Sequence, residues 1–329
     1  MAQADLILRL LVGLLVPALG WGAAPTWLAD MNRAFMELNY DGVFSYFTGQ
    51  DVATLRIVHM VVDGEQRERL VHLNGAPREI IRRGDEVTRV LMPGDNLVEL
   101  SRGIASGPFA RAFTRPFDRV SAQYAISDLG VGRIAGRRAQ RIAVMPRDGD
   151  RYGHRLWLDR EHRLLLRSEL VDRHGARLEV FQFTQIEIGD GVDPAALEPG
   201  RHEGALAAVD RQPRGKSVDP GPARIRWRAG WIPAGFSMAS AGVRRGDGRL
   251  QSVNAMMYTD GLAAFSIFVE DGPSVRTAAA ATRQGATIAV TEFVPGPSGR
   301  RVQVTLVGEL PEPTVRRIAR SIYHDSKEP

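Results

Sequence analysis

The chain has 329 residues, 44% of them hydrophobic and 25% charged, with no cysteine and a formal net charge of +5. That balance excludes disordered and fibrous chains and permits a sizeable buried core. The missing cysteines exclude disulfides, thiolate nucleophiles, zinc fingers and iron–sulfur ligation together.

At roughly 100–200 residues per domain, the length points to two domains. Every basic residue except Lys216 and Lys327 is arginine. Guanidinium offers a planar fork suited to phosphate or carboxylate, but a coding bias toward arginine is the simpler account of most of them.

Residues 1–24 read as a cleavable export signal. Arg9 stands beside an apolar run, and small residues follow at Gly20, Gly22, Ala23 and Ala24. The alternative is a buried N-terminal helix; the run, interrupted by Gly13 and Pro17, is too short to span a membrane comfortably. Export also argues against nucleic acid as a partner. Thr26 is the expected N-cap of a helix carrying Trp27, Met31, Ala34, Phe35 and Leu38 at three- and four-residue spacing.

From Asp41 the period becomes two, with Val43, Ser45 and Phe47 on one face and Phe44 and Tyr46 on the other. Strand-length runs follow at 56–62, 67–73, 78–82 and 87–92, separated by Asp63-Gly64, Asn74-Gly75 and Gly84-Asp85. Residues 102–119, with Gly107-Pro108-Phe109, read as a short helix or a flap. A second meander covers 137–144, 155–159, 164–170 and 177–186. Short antiparallel strands after one early helix imply an unclosed β-barrel wrapped on that helix, in an α+β, β-rich chain.

The stretch 201–222 lacks periodicity and gathers Gly204, Pro213, Gly215, Pro220 and Gly221, so it reads as a linker between a large domain (25–200) and a smaller C-terminal α+β domain (223–329). The clearest strands of the small domain are 256–259, 264–270, 288–293 and 301–308. A final helix carries Val315, Ile318, Ala319 and Ile322 on one stripe. Residues 274–284 read as either a short helix or a loop.

Motifs of catalysis are absent. Gly130-Val131-Gly132 with Gly136 has the wrong spacing for a dinucleotide fingerprint. Asp148, Asp150, Gly153 and Asp159 fall at calcium-loop positions, but Tyr152 stands where a ligand belongs, and a hairpin turn explains them better. The seven histidines have no metal-ligand spacing, and neither a G-x-S-x-G elbow nor a phosphate-binding loop occurs. No catalytic residue, metal or cofactor is therefore assigned, and binding is favoured over catalysis. The aromatic residues Phe44, Tyr46, Trp157, Phe181 and Phe183 either fill the core or line an apolar cavity for an acyl chain.

The run Tyr40-Asp-Gly-Val-Phe-Ser-Tyr46, then His59, Glu68-Arg69-Leu70, Asn74-Gly75 and Arg78-Glu79, resembles the start of the RseB/MucB family of sigma-E regulators. Gly132-Arg-Ile-Ala-Gly-Arg137, Arg151-Tyr-Gly-His-Arg-Leu-Trp-Leu-Asp159 and Leu164-Leu-Leu-Arg167 continue it in order. In the smaller unit, Trp231-Ile-Pro-Ala-Gly-Phe236, Tyr258-Thr-Asp-Gly261, Phe265-Ser-Ile-Phe268 and Val307-Gly-Glu-Leu-Pro311 complete the set.

The resemblance implies a periplasmic negative regulator whose large domain is LolA-like. It implies binding to the periplasmic segment of a MucA/RseA-type membrane anti-sigma factor, shielding of that segment from proteolysis, and release on sensing lipopolysaccharide or acyl lipid. On that basis Phe44, Tyr46, Trp157 and Phe183 are lipid-binding candidates, with lipid phosphates expected at rim arginines. Arg244, Tyr258, Phe265 and Phe268 are partner-binding candidates. A lipid or lipoprotein carrier is the alternative, and the residues leave a homodimer open.

Overall fold

The structure is a computed structural model that describes residues 23–75, 78–84, 86–91, 122–200, 206–210, 225–245, 252–271 and 279–325. Most of the expected signal segment and the stretch 102–119 lie outside the described residues.

Helix α1 spans Ala23–Glu37 and leads into β1, Tyr40–Thr48. Thr26 lies inside α1 instead of capping it, because the helix begins three residues earlier. The first meander continues with β2 (Asp51–Val62), β3 (Glu65–His72), β4 (Glu79–Arg83) and β5 (Glu86–Leu91). The second comprises β6 (Tyr124–Ile134), β7 (Arg137–Pro146), β8 (Gly153–Asp159), β9 (Leu165–Val171) and β10 (Arg177–Ile188). Asp63 and Gly64, both at positive φ, make the β2–β3 reversal a two-residue turn whose twist matches the strands it joins.

All strand pairs of this sheet are antiparallel, and β1 pairs with β10, which welds the two meanders into one sheet. The order is β11-β5-β4-β3-β2-β1-β10-β9-β8-β7-β6, where β11 is Leu206–Asp210. Its outer strands, β11 and β6, do not pair with each other, so the barrel stays unclosed. The expected linker thus contains an edge strand of the large sheet. Helix α1 covers one face: Leu28 and Met31 pack with Ile142, Val144, Leu156, Leu158 and Leu165. Ala34 reaches Tyr40 and Leu164.

The smaller unit has a two-stranded ribbon, β12 (Trp227–Ala229) with β19 (Ile322–His324). Its six-stranded sheet has the order β13-β14-β15-β18-β17-β16. These strands are β13 (Ser237–Arg245), β14 (Ser252–Thr259), β15 (Ala264–Asp271), β16 (Ala280–Gln284), β17 (Thr287–Pro295) and β18 (Arg301–Gly308).

Helix α2, Glu312–Arg320, lays Val315, Ile318 and Ala319 on a core with Ile267, Val290 and Leu306. Ile322 joins that core from β19, two residues past the end of α2. Residues 280–284, expected as helix or loop, form an edge strand exposed throughout.

Candidate functional site

The two units meet along a seam to which several of the segments that carried the family resemblance contribute. Arg151, in the turn between β7 and β8, is only 1% exposed. Its Nη1 donates to Asp260 Oδ2 in the small unit at 2.5 Å, and its Nη2 donates to the Ala234 carbonyl at 2.6 Å. Asp260 also accepts from the Tyr124 hydroxyl (2.8 Å) and from the backbone amides of Leu262 and Ala263 (2.9 and 2.8 Å).

The guanidinium stacks over the Phe236 ring, 5.0 Å from its centroid. A buried charge survives only when it is paired and hydrogen-bonded, and each condition is met here. Burial, followed by the Asp260 charge, raises the Tyr124 hydroxyl above the ordinary tyrosine range.

Further along the seam, Thr314 of α2 donates to Asp150 (3.0 Å), and Arg283 of β16 donates to the Tyr152 hydroxyl (3.1 Å). Asp148 and Asp150, the candidate calcium-loop carboxylates, are thus bonded to Arg151 and Thr314. The β16–β17 turn inserts against the end of the large sheet. There Ala286 N donates to Glu179 Oε1 at 2.8 Å, and Glu179 also accepts from the Tyr46 hydroxyl. Glu309, just past β18, faces Glu179; burial and then that charge push its carboxyl up to about 8.

Asp159, Glu161 and His162 bring three possible ligand atoms together among the described residues. The Asp159 carboxylate, however, accepts from Arg137 (2.6 Å) and from the amides of Glu161 and His162 (2.9 and 2.8 Å). Burial pushes its pKa upward, but Arg137 and the two amides outweigh burial and hold it below the ordinary carboxylate value. This carboxylate caps a turn.

The lipid-binding candidates divide between two environments. Phe44 lies across from Phe183, and Tyr46 across from Phe181. Phe44 and Phe183 are each 2% exposed, with ring centroids 5.8 Å apart, and fill a core with Leu55, Leu70 and Ile80. Gly42 allows this packing, since a Cβ there would lie 2.6 Å from the Phe183 ring.

Trp157, half-buried, packs against the same cluster from its edge. It lies across from Arg141 and Arg167, and Arg167 across from Gln182, which alternates with Phe181 and Phe183 along β10. Trp157 therefore has arginines as its cross-strand neighbours while touching the edge of the phenylalanine core.

Of the partner-binding candidates, Tyr258 and Phe265 stack on each other inside the small unit, 5% and 2% exposed, and present no surface to a partner. Strand alternation alone does not say which face of the small sheet α2 covers. Phe268 is half-exposed on the outer face, across from Ala255 and Thr305. The backbone of Arg244 pairs with Val253 on the edge strand β13, and its side chain lies outside the described set. The sequence reading did not assign Arg151, Asp260, Glu179 or Glu309, although all but Glu179 stand in the segments that carried the resemblance.

Comparison with known proteins matches residues 23–201 to the MucB/RseB N-terminal domain and residues 222–323 to the MucB/RseB C-terminal domain. The sigma factor AlgU regulatory protein MucB of Pseudomonas aeruginosa is 34% identical over 320 residues, 96% of each chain. The sigma-E factor regulatory protein RseB of Escherichia coli K12 is 30% identical over 330 residues, 98% of each chain. A chain of the solved Pseudomonas aeruginosa MucA/MucB complex aligns with a TM-score of 0.75 at 31% identity, covering 93% of this chain and all of that one. With both units matched in order, the chain belongs to the MucB/RseB family.

Proposed function

We propose that this protein restrains an envelope-stress sigma factor from the periplasm by binding the periplasmic segment of a MucA/RseA-type anti-sigma factor and shielding it from proteolysis, and that lipid entering the large unit releases that segment. The observation that carries the binding reading is the full-length match, across both units, to a chain solved in a MucA/MucB complex. The partner's expected contacts are the outer face of the small sheet around Phe268 and the edge strand that contains Arg244. Tyr258 and Phe265 act behind that surface as its packing support.

The release step needs a ligand that prefers one arrangement of the units over another. A connection for it runs through Tyr46. This residue shares a sheet face with Phe44 and Phe183, and its hydroxyl donates to Glu179, which in turn accepts from Ala286 of the small unit. An acyl chain that opens the phenylalanine core displaces Tyr46 and frees Glu179 from the seam.

The test is binding of the purified protein to the anti-sigma segment with and without lipopolysaccharide, for wild type and Tyr46→Phe. Wild type is expected to bind tightly and to release with lipid, whereas Tyr46→Phe binds with a weaker lipid response. An unchanged lipid response in the variant would overturn the Tyr46 connection, and absence of binding would overturn the regulator reading.

A further inference from the structure

The β16–β17 turn plugs the end of the large sheet with a small residue. Ala286 is fully buried against Tyr152 and Leu170 of the large unit, and its amide donates to Glu179 Oε1 at 2.8 Å. Glu179 is itself buried and takes a second hydrogen bond from the Tyr46 hydroxyl. One carboxylate of the large unit therefore seats the turn of the small unit.

The surroundings of that carboxylate are short of positive charge. Glu309 of the small unit faces it, and Tyr46 of β1 is the other titratable neighbour. Arg283 of β16 is turned to the Tyr152 hydroxyl (3.1 Å) and to Glu312 of α2 (4.0 Å). Among the described residues no ion pair reaches Glu179 or Glu309. Two carboxyl groups sharing such a site do not both stay ionised. The proton sits on Glu309, whose carboxyl is pushed up to about 8 by burial and then by the Glu179 charge. Tyr46 keeps its own proton, because burial and the same charge raise its hydroxyl above the ordinary tyrosine range.

We propose that Glu309 is a proton-operated latch between the two units. With its proton it lies beside Glu179 without repulsion, and the β16–β17 turn stays seated. Without it, two like charges face each other and the turn lifts out, while the Arg151–Asp260 pair still holds the other end of the seam. An opened turn returns Glu309 to water and to its ordinary value of 4.5. Between 4.5 and 8 the seated turn thus holds a proton that the opened turn has lost. Opening becomes easier by up to about tenfold per pH unit through that window and levels off above it. The consequence for regulation rests on the function proposed above: a rise in pH unseats one end of the seam and weakens the hold on the anti-sigma segment.

The Ala286 amide reports the latch directly. Its hydrogen-exchange protection, corrected for the intrinsic pH dependence of exchange, is measured in the purified protein at pH 6.5, 7.5 and 8.5. Wild type is expected to lose about tenfold or more of that protection across the series, and Glu309→Gln, which cannot ionise, to keep it. The amides of Leu262 and Ala263, which bond to Asp260, are expected to stay protected in both. A flat wild-type profile overturns the latch, as does an equal loss at Leu262 and Ala263, which would mean that the whole seam opens. The wild-type profile decides alone should the variant fail to fold. Binding of the anti-sigma segment at pH 6.5 and 8.5 then tests the consequence, with weaker binding expected at 8.5 in wild type and equal binding in Glu309→Gln. Exchange that follows pH while affinity does not overturns the coupling. Absence of binding at both values overturns the regulator reading and leaves the exchange result to decide the latch.

Discussion

Arg151 and Asp260 are 109 residues apart in sequence and form an ion pair with both side chains withdrawn from water, one from each unit of the protein. The pair is held on every side, by Tyr124 and two backbone amides on the carboxylate and by Asp148, Ala234 and the Phe236 ring on the guanidinium. Removing one partner of such a pair leaves the other charged and buried. Arg151→Met is therefore expected to cost about 3–5 kcal/mol, read from denaturant midpoints. A double-mutant cycle with Asp260→Asn should recover a large coupling between the two, and a coupling near zero would show that the pair does not join the units.

Gly285 is the second fastening point. Its φ of +59° is a conformation that side-chain-bearing residues rarely adopt, and a Cβ there would lie 2.4 Å from Thr48 Cγ2 and 2.6 Å from Glu179 Oε1. Gly285→Ala is expected to lower stability by at least about 1–2 kcal/mol from the left-handed backbone alone. It should also raise the rate of limited proteolysis near the β16–β17 turn. A variant with wild-type melting and cleavage would contradict the close approach.

Glu309 makes the seam sensitive to pH. Its carboxyl titrates near 8 in the folded protein against an ordinary 4.5. Between those values the folded state holds a proton that the unfolded state has lost, so stability falls as pH rises through this window and levels off above it. Because the depressed pKa values of His154 and His59 act in the opposite sense only below the ordinary histidine value of 6.5, the fall in melting temperature between pH 6.5 and 9 should be larger for wild type than for Glu309→Gln. Parallel pH profiles would contradict this assignment.

Phe183 distinguishes a filled core from an open cavity. Buried against Phe44 and Phe181, its truncation to alanine is expected to cost about 3–5 kcal/mol. A loss below about 1 kcal/mol, measured by chemical denaturation, would mean that the ring already lines empty space.

The sequence shows the meanders where a single face is covered and a turn has its own signature. Alternation in β1 and the Asp63-Gly64 reversal are both of this kind. Strand β6 was missed for the opposite reason. It is an edge strand with Leu129 and Val131 exposed and an irregular register between Asp128 and Val131, so no period of two survives. Aromatic residues on strands are visible in sequence, but their facing is not: Trp157 belongs with arginines and Tyr258 with the small core, because cross-strand register decides the neighbours. The seam was illegible because Arg151 and Asp260 are 109 residues apart and no local pattern links them.

The most direct measurement is calorimetric binding of the purified protein to the periplasmic segment of the anti-sigma factor from the same organism, for wild type and Arg151→Met. Tight binding by wild type, weakened in the variant, is the expected result, because the proposed binding depends on the arrangement of the two units that the Arg151–Asp260 pair fixes. No binding by wild type would contradict the regulatory account itself.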